Sequence, residues 1–173
     1  MENSSNTVLS VIHKRKSVRE FKKGKTIPKE TIDTIVKAAF AAPSAINLQP
    51  WHFIVIDERA ILNALADDLP YAKMLYSTPI AIVVCADTQA SELYWEVDCA
   101  AATQNILLSV EALDLGAVWT AVYPQQKRVS FVQKLLNIPE NIIPLNVIPI
   151  GYPANTDKPK DKYKPQKVHV NKW

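Results

Sequence analysis

Apolar residues recur along this chain with two different periods. Over residues 5–14, Val8, Val11 and Ile12 share one face at helical spacing, which predicts a short helix. Residues 17–21 read as extended. The segment 28–42 carries Ile32, Ile35, Val36, Ala39 and Phe40 at helical spacing, behind Pro28, Glu30 and Asp33, and Pro43 ends it. Residues 51–57 form a short apolar run of strand type, with Trp51 expected in the core. A helix is predicted over 59–69 and a β-branched strand over 80–86. The longest predicted helix, 92–113, mixes small, apolar and polar faces through Val97, Ala101, Gln104, Leu108 and Glu111. A third strand follows at 117–122, a helix at 129–136 stopped by Pro139, and a fourth strand at 144–150. Pro144 and Pro149 are expected at the ends of that strand, where a missing N–H is tolerated. With no internal repeat and no linker, this order predicts one α+β or α/β domain over residues 1–173, built on a four- or five-stranded sheet.

After Gly151 the pattern stops. Residues 154–173 are rich in Pro and Lys, with Val168, Val170 and Trp173 near the end. This tail has too few apolar groups to fold alone, and is expected to lie on another surface. The small-residue stretch 97–110 would let another helix approach closely. Both features point to a dimer.

Composition removes several chemistries. Only three glycines occur, Gly24, Gly116 and Gly151, and they are far apart, so neither a dinucleotide-binding Gly-x-Gly-x-x-Gly turn nor a Gly-rich phosphate loop is present. Cys85 and Cys99 form no Cys-x-x-Cys, and His13, His52 and His169 are scattered, so no zinc framework is indicated. The first five residues are polar, without a signal-like apolar core. The longest stretch without charge, Ala38 to Ile56, is interrupted by Pro43, Asn47, Gln49, Pro50 and His52, which argues against a membrane span. A soluble cytoplasmic protein is the expectation.

The net charge of +3 hides an asymmetry. Residues 13–25 hold seven basic groups against Glu20, residues 154–173 hold six lysines against two acids, and the segment between them is acidic. Three readings fit two basic ends: solubility, nucleic-acid contact, or one phosphorylated ligand met by both ends. In the last case Ser17, among the cations, suits a phosphate monoester.

Four segments carry a resemblance that bears on this choice. Arg15-Lys16-Ser17-Val18-Arg19 resembles the R-x-S-x-R opening of the nitroreductase family, which are FMN-dependent homodimeric oxidoreductases. Pro43-Ser44-Ala45-Ile46-Asn47-Leu48-Gln49-Pro50-Trp51 resembles that family's P-S-x-x-N-x-Q-P-W signature, between a helix and a strand. Leu115-Gly116-Ala117-Val118-Trp119-Thr120 resembles its third segment, and Ile150-Gly151-Tyr152-Pro153, followed by Lys160 and Lys162, its last. The match spans residues 7 to about 165 and keeps the order of the four segments.

The resemblance implies an α+β sandwich, with a central, mostly antiparallel sheet flanked by helices, in an intertwined homodimer whose tail packs on the partner subunit. It implies FMN as cofactor, NADH or NADPH as co-substrate, and a small-molecule electron acceptor such as a nitroaromatic or quinone, with no nucleic-acid or membrane partner. Arg15 and Ser17, beside Lys16, would bind the FMN phosphate, with Lys160 and Lys162 approaching from the tail and Gly151 nearby. Arg19 would stabilise negative charge on the pyrimidine edge of the reduced ring and raise the flavin potential. Pro43, Ser44 and Asn47 would come from the other subunit. Trp119, Thr120 and Ala121 would cross the ring, and a backbone N–H, that of Ala121, would donate to flavin N5.

The chain departs from the pattern in lacking long insertions after Gln89 and Gln126, which implies a more open or differently built pocket. No side chain stands out as an acid over N5, so the substrate's proton is expected from solvent. A reductive dehalogenase or flavin-consuming relative is the alternative within the fold. A basic nucleic-acid-binding domain is the rival from another class. It calls for exposed aromatics among the cations, where only Phe21 and Tyr163 stand.

Overall fold

The uninterrupted apolar run Ile80 to Ala86 can be buried only if both faces of its strand are covered. In the computed structural model, which describes residues 4–155 and 158–173, that requirement is met by helices on both sides of the sheet. Met1 to Asn3 of the expected domain, and Thr156 and Asp157 of the expected tail, lie outside the described residues. In chain order the elements are α1 (Ser4–Lys14), α2 (Lys29–Phe40), β1 (Trp51–Ile56), α3 (Arg59–Asp68), β2 (Ile80–Asp87), α4 (Trp95–Ala112), β3 (Gly116–Ala117), β4 (Thr120–Ala121), α5 (Gln126–Leu136) and β5 (Ile142–Gly151). The sheet runs β1-β2-β5-β3, with β4 also on β5, and its strand pairs are antiparallel.

Alternation along β2 and β5 divides the core. Ile82, Val84, Ile148 and Ile150 pack with Ile35 and Ala39 of α2 and Cys99, Ala102, Ile106 and Val110 of α4. Ala81, Val83, Cys85 and Val147 pack with Leu62 and Leu65 of α3 and Val129 and Val132 of α5. Trp51 is buried, as expected. The expected fold class holds: α+β, with a central antiparallel sheet flanked by helices. Burial pushes the thiols of Cys85 and Cys99 up to about 12.

Four expectations change. The helix predicted from residue 92 starts at Trp95, because residues 92–94 form a turn, and α5 starts three residues earlier than predicted, at Gln126. The two prolines lie inside β5, an interior strand, rather than at its ends: Pro144 pairs with Cys85 beside a bulge at Val84/Cys85, and Pro149 with Ala81. The single strand predicted at 117–122 is split into β3 and β4. Both halves pair with β5 in one continuous register, from Gly116↔Gly151 to Ala121↔Asn146, so Val118 falls opposite Pro149. Proline has no N–H to give across the ladder, and pairing lapses there.

Beyond Gly151, Pro153 bridges to Phe21. The described tail residues 158–173 are exposed, with one short 3-10 turn at Pro165–Lys167. Among the described residues no helix is long and apolar enough to cross a membrane.

Candidate functional site

Three of the four motif segments meet through backbone pairing. Ser17 bridges Ala117 in parallel, and the Val18 N–H donates to the Ala117 carbonyl at 2.9 Å. Lys22 N–H donates to the Tyr152 carbonyl, and Ala154 N–H to the Glu20 carbonyl, each at 2.9 Å. The residue 15–22 segment therefore lies between the third and the closing segments. Two glycines permit this. A Cβ at Gly116 would stand 2.8 Å from Val18 Cβ, and one at Gly151 would stand 2.9 Å from the Phe21 ring. Gly151, expected near the cofactor, is buried at the end of β5 and has this packing role of its own. Phe21 is buried too, so of the two aromatics the nucleic-acid reading called on, only Tyr163 is exposed.

This pairing opens a cavity of about 540 Å³ lined by Arg15, Lys16, Ser17, Arg19, Lys158, Lys160 and Lys162. Arg15 and Lys16 are half-buried, while Ser17 and Arg19 are exposed. Six cationic side chains around one hydroxyl form a donor set suited to a phosphate dianion, which needs several charged partners in place of water. A second cavity, of about 500 Å³, adjoins it through Arg15, Lys160 and Lys162 and extends to Ile12, His13 and Tyr163. Glu20, whose carboxylate accepts a hydrogen bond from Asn155, lines with it a smaller cavity of about 210 Å³ beside Lys16, Ser17 and Arg19. Lys158 was not among the residues singled out from the sequence. Only its place in a uniformly basic tail hinted at it.

The chain segment 119–121 continues from the same pairing. Thr120 is buried, and Trp119 and Ala121 reach the surface. Thr120 pairs with Val147, and Val122 N–H donates to the Leu145 carbonyl. Strand alternation then turns the Ala121 N–H away from β5. The Ala121 carbonyl, on that same outward side, accepts from Arg128 at 3.3 Å.

Pro43, Ser44 and Asn47 stand apart from this cluster. They line neither of the two Arg15 cavities. Their turn is exposed and tightly wound, with positive φ at Ile46, Asn47 and Gln49. Ser44 Oγ accepts from the Gln49 N–H at 3.0 Å, and Asn47 Oδ1 accepts from Gln49 Nε2 at 2.8 Å. The sequence reading missed what anchors this turn to the protein: the buried Asp98 of α4 accepts the Ala45 N–H at 3.0 Å.

Known proteins resemble the chain in sequence and in fold. The family model described as "Nitroreductase family" matches residues 12–74 and 60–152. A Methanothermobacter thermautotrophicus protein named "Putative NADH dehydrogenase/NAD(P)H nitroreductase" is 43% identical over 168 residues, covering 96% of this chain and 87% of its own length. A crystal structure from Bacteroides thetaiotaomicron, with the same name, superposes with a TM-score of 0.95 at 49% identity, over 97% of this chain and 99% of that one. An FMN-dependent nitroreductase from Clostridium difficile superposes with a TM-score of 0.90 at 29% identity, over 95% and 99%. The motifs, the fold and these likenesses agree: the chain belongs to the nitroreductase family.

Proposed function

We propose that the protein is an FMN-dependent NAD(P)H oxidoreductase whose FMN phosphate sits in the cavity between its two basic ends. The observation that carries this reading is the convergence of Arg15, Lys16, Ser17 and Arg19 with Lys158, Lys160 and Lys162, which stand more than a hundred residues later in the chain. The chemistry FMN supplies when bound is two-electron transfer from NADH or NADPH to a nitroaromatic, quinone or similar acceptor, in two half-reactions of a ping-pong scheme.

The chain's own groups bind and orient. Arg15 offers a planar pair of donors to the phosphate and Ser17 a hydroxyl, with Lys16 and the tail lysines neutralising the remaining charge. Arg19, which lines the same cavity, would hold a fixed cation for the negative charge of the reduced ring. The outward Ala121 N–H, with Trp119 and Thr120 beside it, offers a donor to the ring. Pro43, Ser44 and Asn47 act on the site of a second subunit. Their absence from the lining of both Arg15 cavities in one chain supports this, as do the exposed apolar groups that a partner would cover: Val8 and Leu9 on α1, Ile46 in the turn, and Val168, Val170 and Trp173 in the tail.

Two experiments test the reading. Purified protein should carry, or take up, a yellow flavin and oxidise NADH or NADPH when a quinone or nitroaromatic is present. A protein that retains no flavin and shows no such turnover refutes it. The shared site is tested by a mixed dimer of Arg15→Ala in one subunit and Asn47→Ala in the other, isolated with two affinity tags. One site then collects both defects and the other none, so two weakly active parents should yield about half of wild-type activity. A stable, flavin-loaded heterodimer without rescue would mean that each site lies within one chain.

A further inference from the structure

We propose that Asp98 is the positioning residue of the Ser44–Gln49 turn, and that through this turn it controls FMN binding. The inference rests on the reading above, in which Ser44 and Asn47 serve a flavin site.

The sheet holds the chain just beyond this turn, where the Pro50 carbonyl accepts from Asp87 N–H at 2.7 Å and Trp51 pairs with Ala86, but Ser44–Gln49 itself has little else to hold it. Ile46 is 89% exposed, and Asn47, Leu48 and Gln49 are exposed as well, so side-chain packing does not fix their conformation. Ile46, Asn47 and Gln49 have φ of 51, 59 and 49°, a region that non-glycine residues enter at a cost, greatest for the β-branched isoleucine. Hydrogen bonds within the turn pay part of that cost: Asn47 N–H to the Ser44 carbonyl, Leu48 N–H to the Ala45 carbonyl, and Gln49 N–H to Ser44 Oγ. These bonds set the turn's shape but not its place on the protein. Among the described residues, Asp98 is the one side chain from outside the turn that bonds the Ser44–Gln49 backbone.

Asp98 is well placed for that task. It sits in the first turn of α4 and is 5% exposed. Cys99, Ala102, Thr103 and Ile106 pack that helix into the core, so the carboxylate projects from a rigid support. Its negative charge lies at the helix N-terminus, where the helix dipole favours it. One oxygen accepts from Ala45 N–H at 3.0 Å, and the other from the buried Ser91 hydroxyl at 3.3 Å. A single carboxylate thus ties together α4, the turn before β1 and the loop after β2. A buried carboxylate needs such partners, and here satisfying it places the turn. Asp98 touches no part of the Arg15 cavity. Its effect on FMN therefore passes through Ser44 and Asn47.

The test titrates the full-length apoprotein with FMN for Asp98→Ala, Asp98→Asn, Asn47→Ala and the double variant Asp98→Ala/Asn47→Ala, with thermal unfolding of each. Asp98→Ala is expected to raise the FMN dissociation constant about tenfold. Asp98→Asn keeps an acceptor for Ala45 and a partner for Ser91, so it should stay within about twofold of wild type. The double variant should lose less than the two single losses combined, because the part of the turn's contribution that Asn47 makes has already gone. Wild-type affinity in Asp98→Ala, with Asn47→Ala weakened, overturns the role of Asp98 alone. So does a double variant whose two losses add. Wild-type affinity in Asn47→Ala overturns the turn's assignment to the flavin, and this proposal with it. Should Asp98→Ala fail to fold, Asp98→Glu keeps the charge and helix position but moves the oxygens by one methylene. It too should bind FMN about tenfold more weakly, and wild-type affinity there overturns the role of Asp98.

Discussion

Replacing Gly116 by alanine should weaken both the fold and FMN binding, although residue 116 lines no part of the site. The new methyl carbon would meet Val18 Cβ and Cγ1 at 2.8 Å and Cγ2 at 2.9 Å. Rotating Val18 relieves nothing, because its Cβ is itself one of the crowded atoms and β-branching restricts χ1. The two segments must instead part by about 0.6 Å to reach an ordinary 3.4 Å contact. That movement stretches the 2.9 Å bond from Val18 N–H to the Ala117 carbonyl and carries Ser17 and Arg19, on either side of Val18, away from the cavity. Overpacking of this kind costs about 1–3 kcal/mol, and the gain from a stiffer unfolded chain offsets about 0.4–1 kcal/mol of it. The net loss is at most about 2.6 kcal/mol and centres near about 1.3 kcal/mol, or about 3–5 °C in melting temperature for a chain of this size. FMN affinity should fall with it, about tenfold for each 1.4 kcal/mol transferred to the site. Gly24→Ala is the matched control. Gly24 has φ +70° and nothing within 4 Å of an added Cβ, and it lines neither Arg15 cavity, so that change strains the backbone outside the site and should lower the melting temperature without touching FMN affinity. Fluorescence titration with FMN and thermal unfolding of both variants decide the matter. Wild-type FMN affinity in Gly116→Ala would uncouple the Val18 contact from the site, and an unchanged melting temperature would refute the steric argument itself.

Arg15→Ala should raise the FMN dissociation constant about 10- to 100-fold, the cost of losing a charged hydrogen-bond partner; an unchanged value in a flavin titration removes Arg15 from the site. Arg19→Gln should lower the flavin reduction potential more than it weakens FMN binding, since its charge matters most once the ring is reduced; a wild-type potential by spectroelectrochemistry sinks that role. Stability should fall as pH rises above about 9. An unfolded chain releases its thiol protons near the ordinary 9.0, whereas folded Cys85 and Cys99 hold theirs to about 12. Between those values the unfolded state binds fewer protons, and each thiol lowers stability by up to about 1.4 kcal/mol per pH unit. Urea unfolding of wild type and of Cys85→Ala/Cys99→Ala across that range checks it, and parallel profiles for the two proteins would count against the burial argument.

Local pattern carried most of the fold. The apolar run of β2 and the helical spacing of α2 are properties of neighbouring residues, and both elements appear where the pattern predicts them. The split between β3 and β4 depends on Pro149, which lies opposite Val118 only once β5 has paired, so no local signal at 117–122 could announce it. The basic ends were legible as charge, and their convergence made sense of Arg15, Ser17, Lys160 and Lys162 together. Two features escaped for a physical reason. Asp98 acts on a backbone N–H fifty-three residues away, which any residue type could have supplied. Gly116 is required by the bulk of Val18, and the sequence alone does not bring the two together.

The interruption at Val118 also bears on how the molecule behaves in crowded solution. An unbroken outer strand from Gly116 to Ala121 would offer a row of free N–H and C=O groups to the edge of any other chain, the usual seed of intermolecular sheet growth. Pro149 limits β3 and β4 to two residues each, and the Ser17–Arg19 segment covers the Ala117 side. The protein can thus hold backbone donors such as Ala121 N–H at this side of the sheet without a long unpaired strand there.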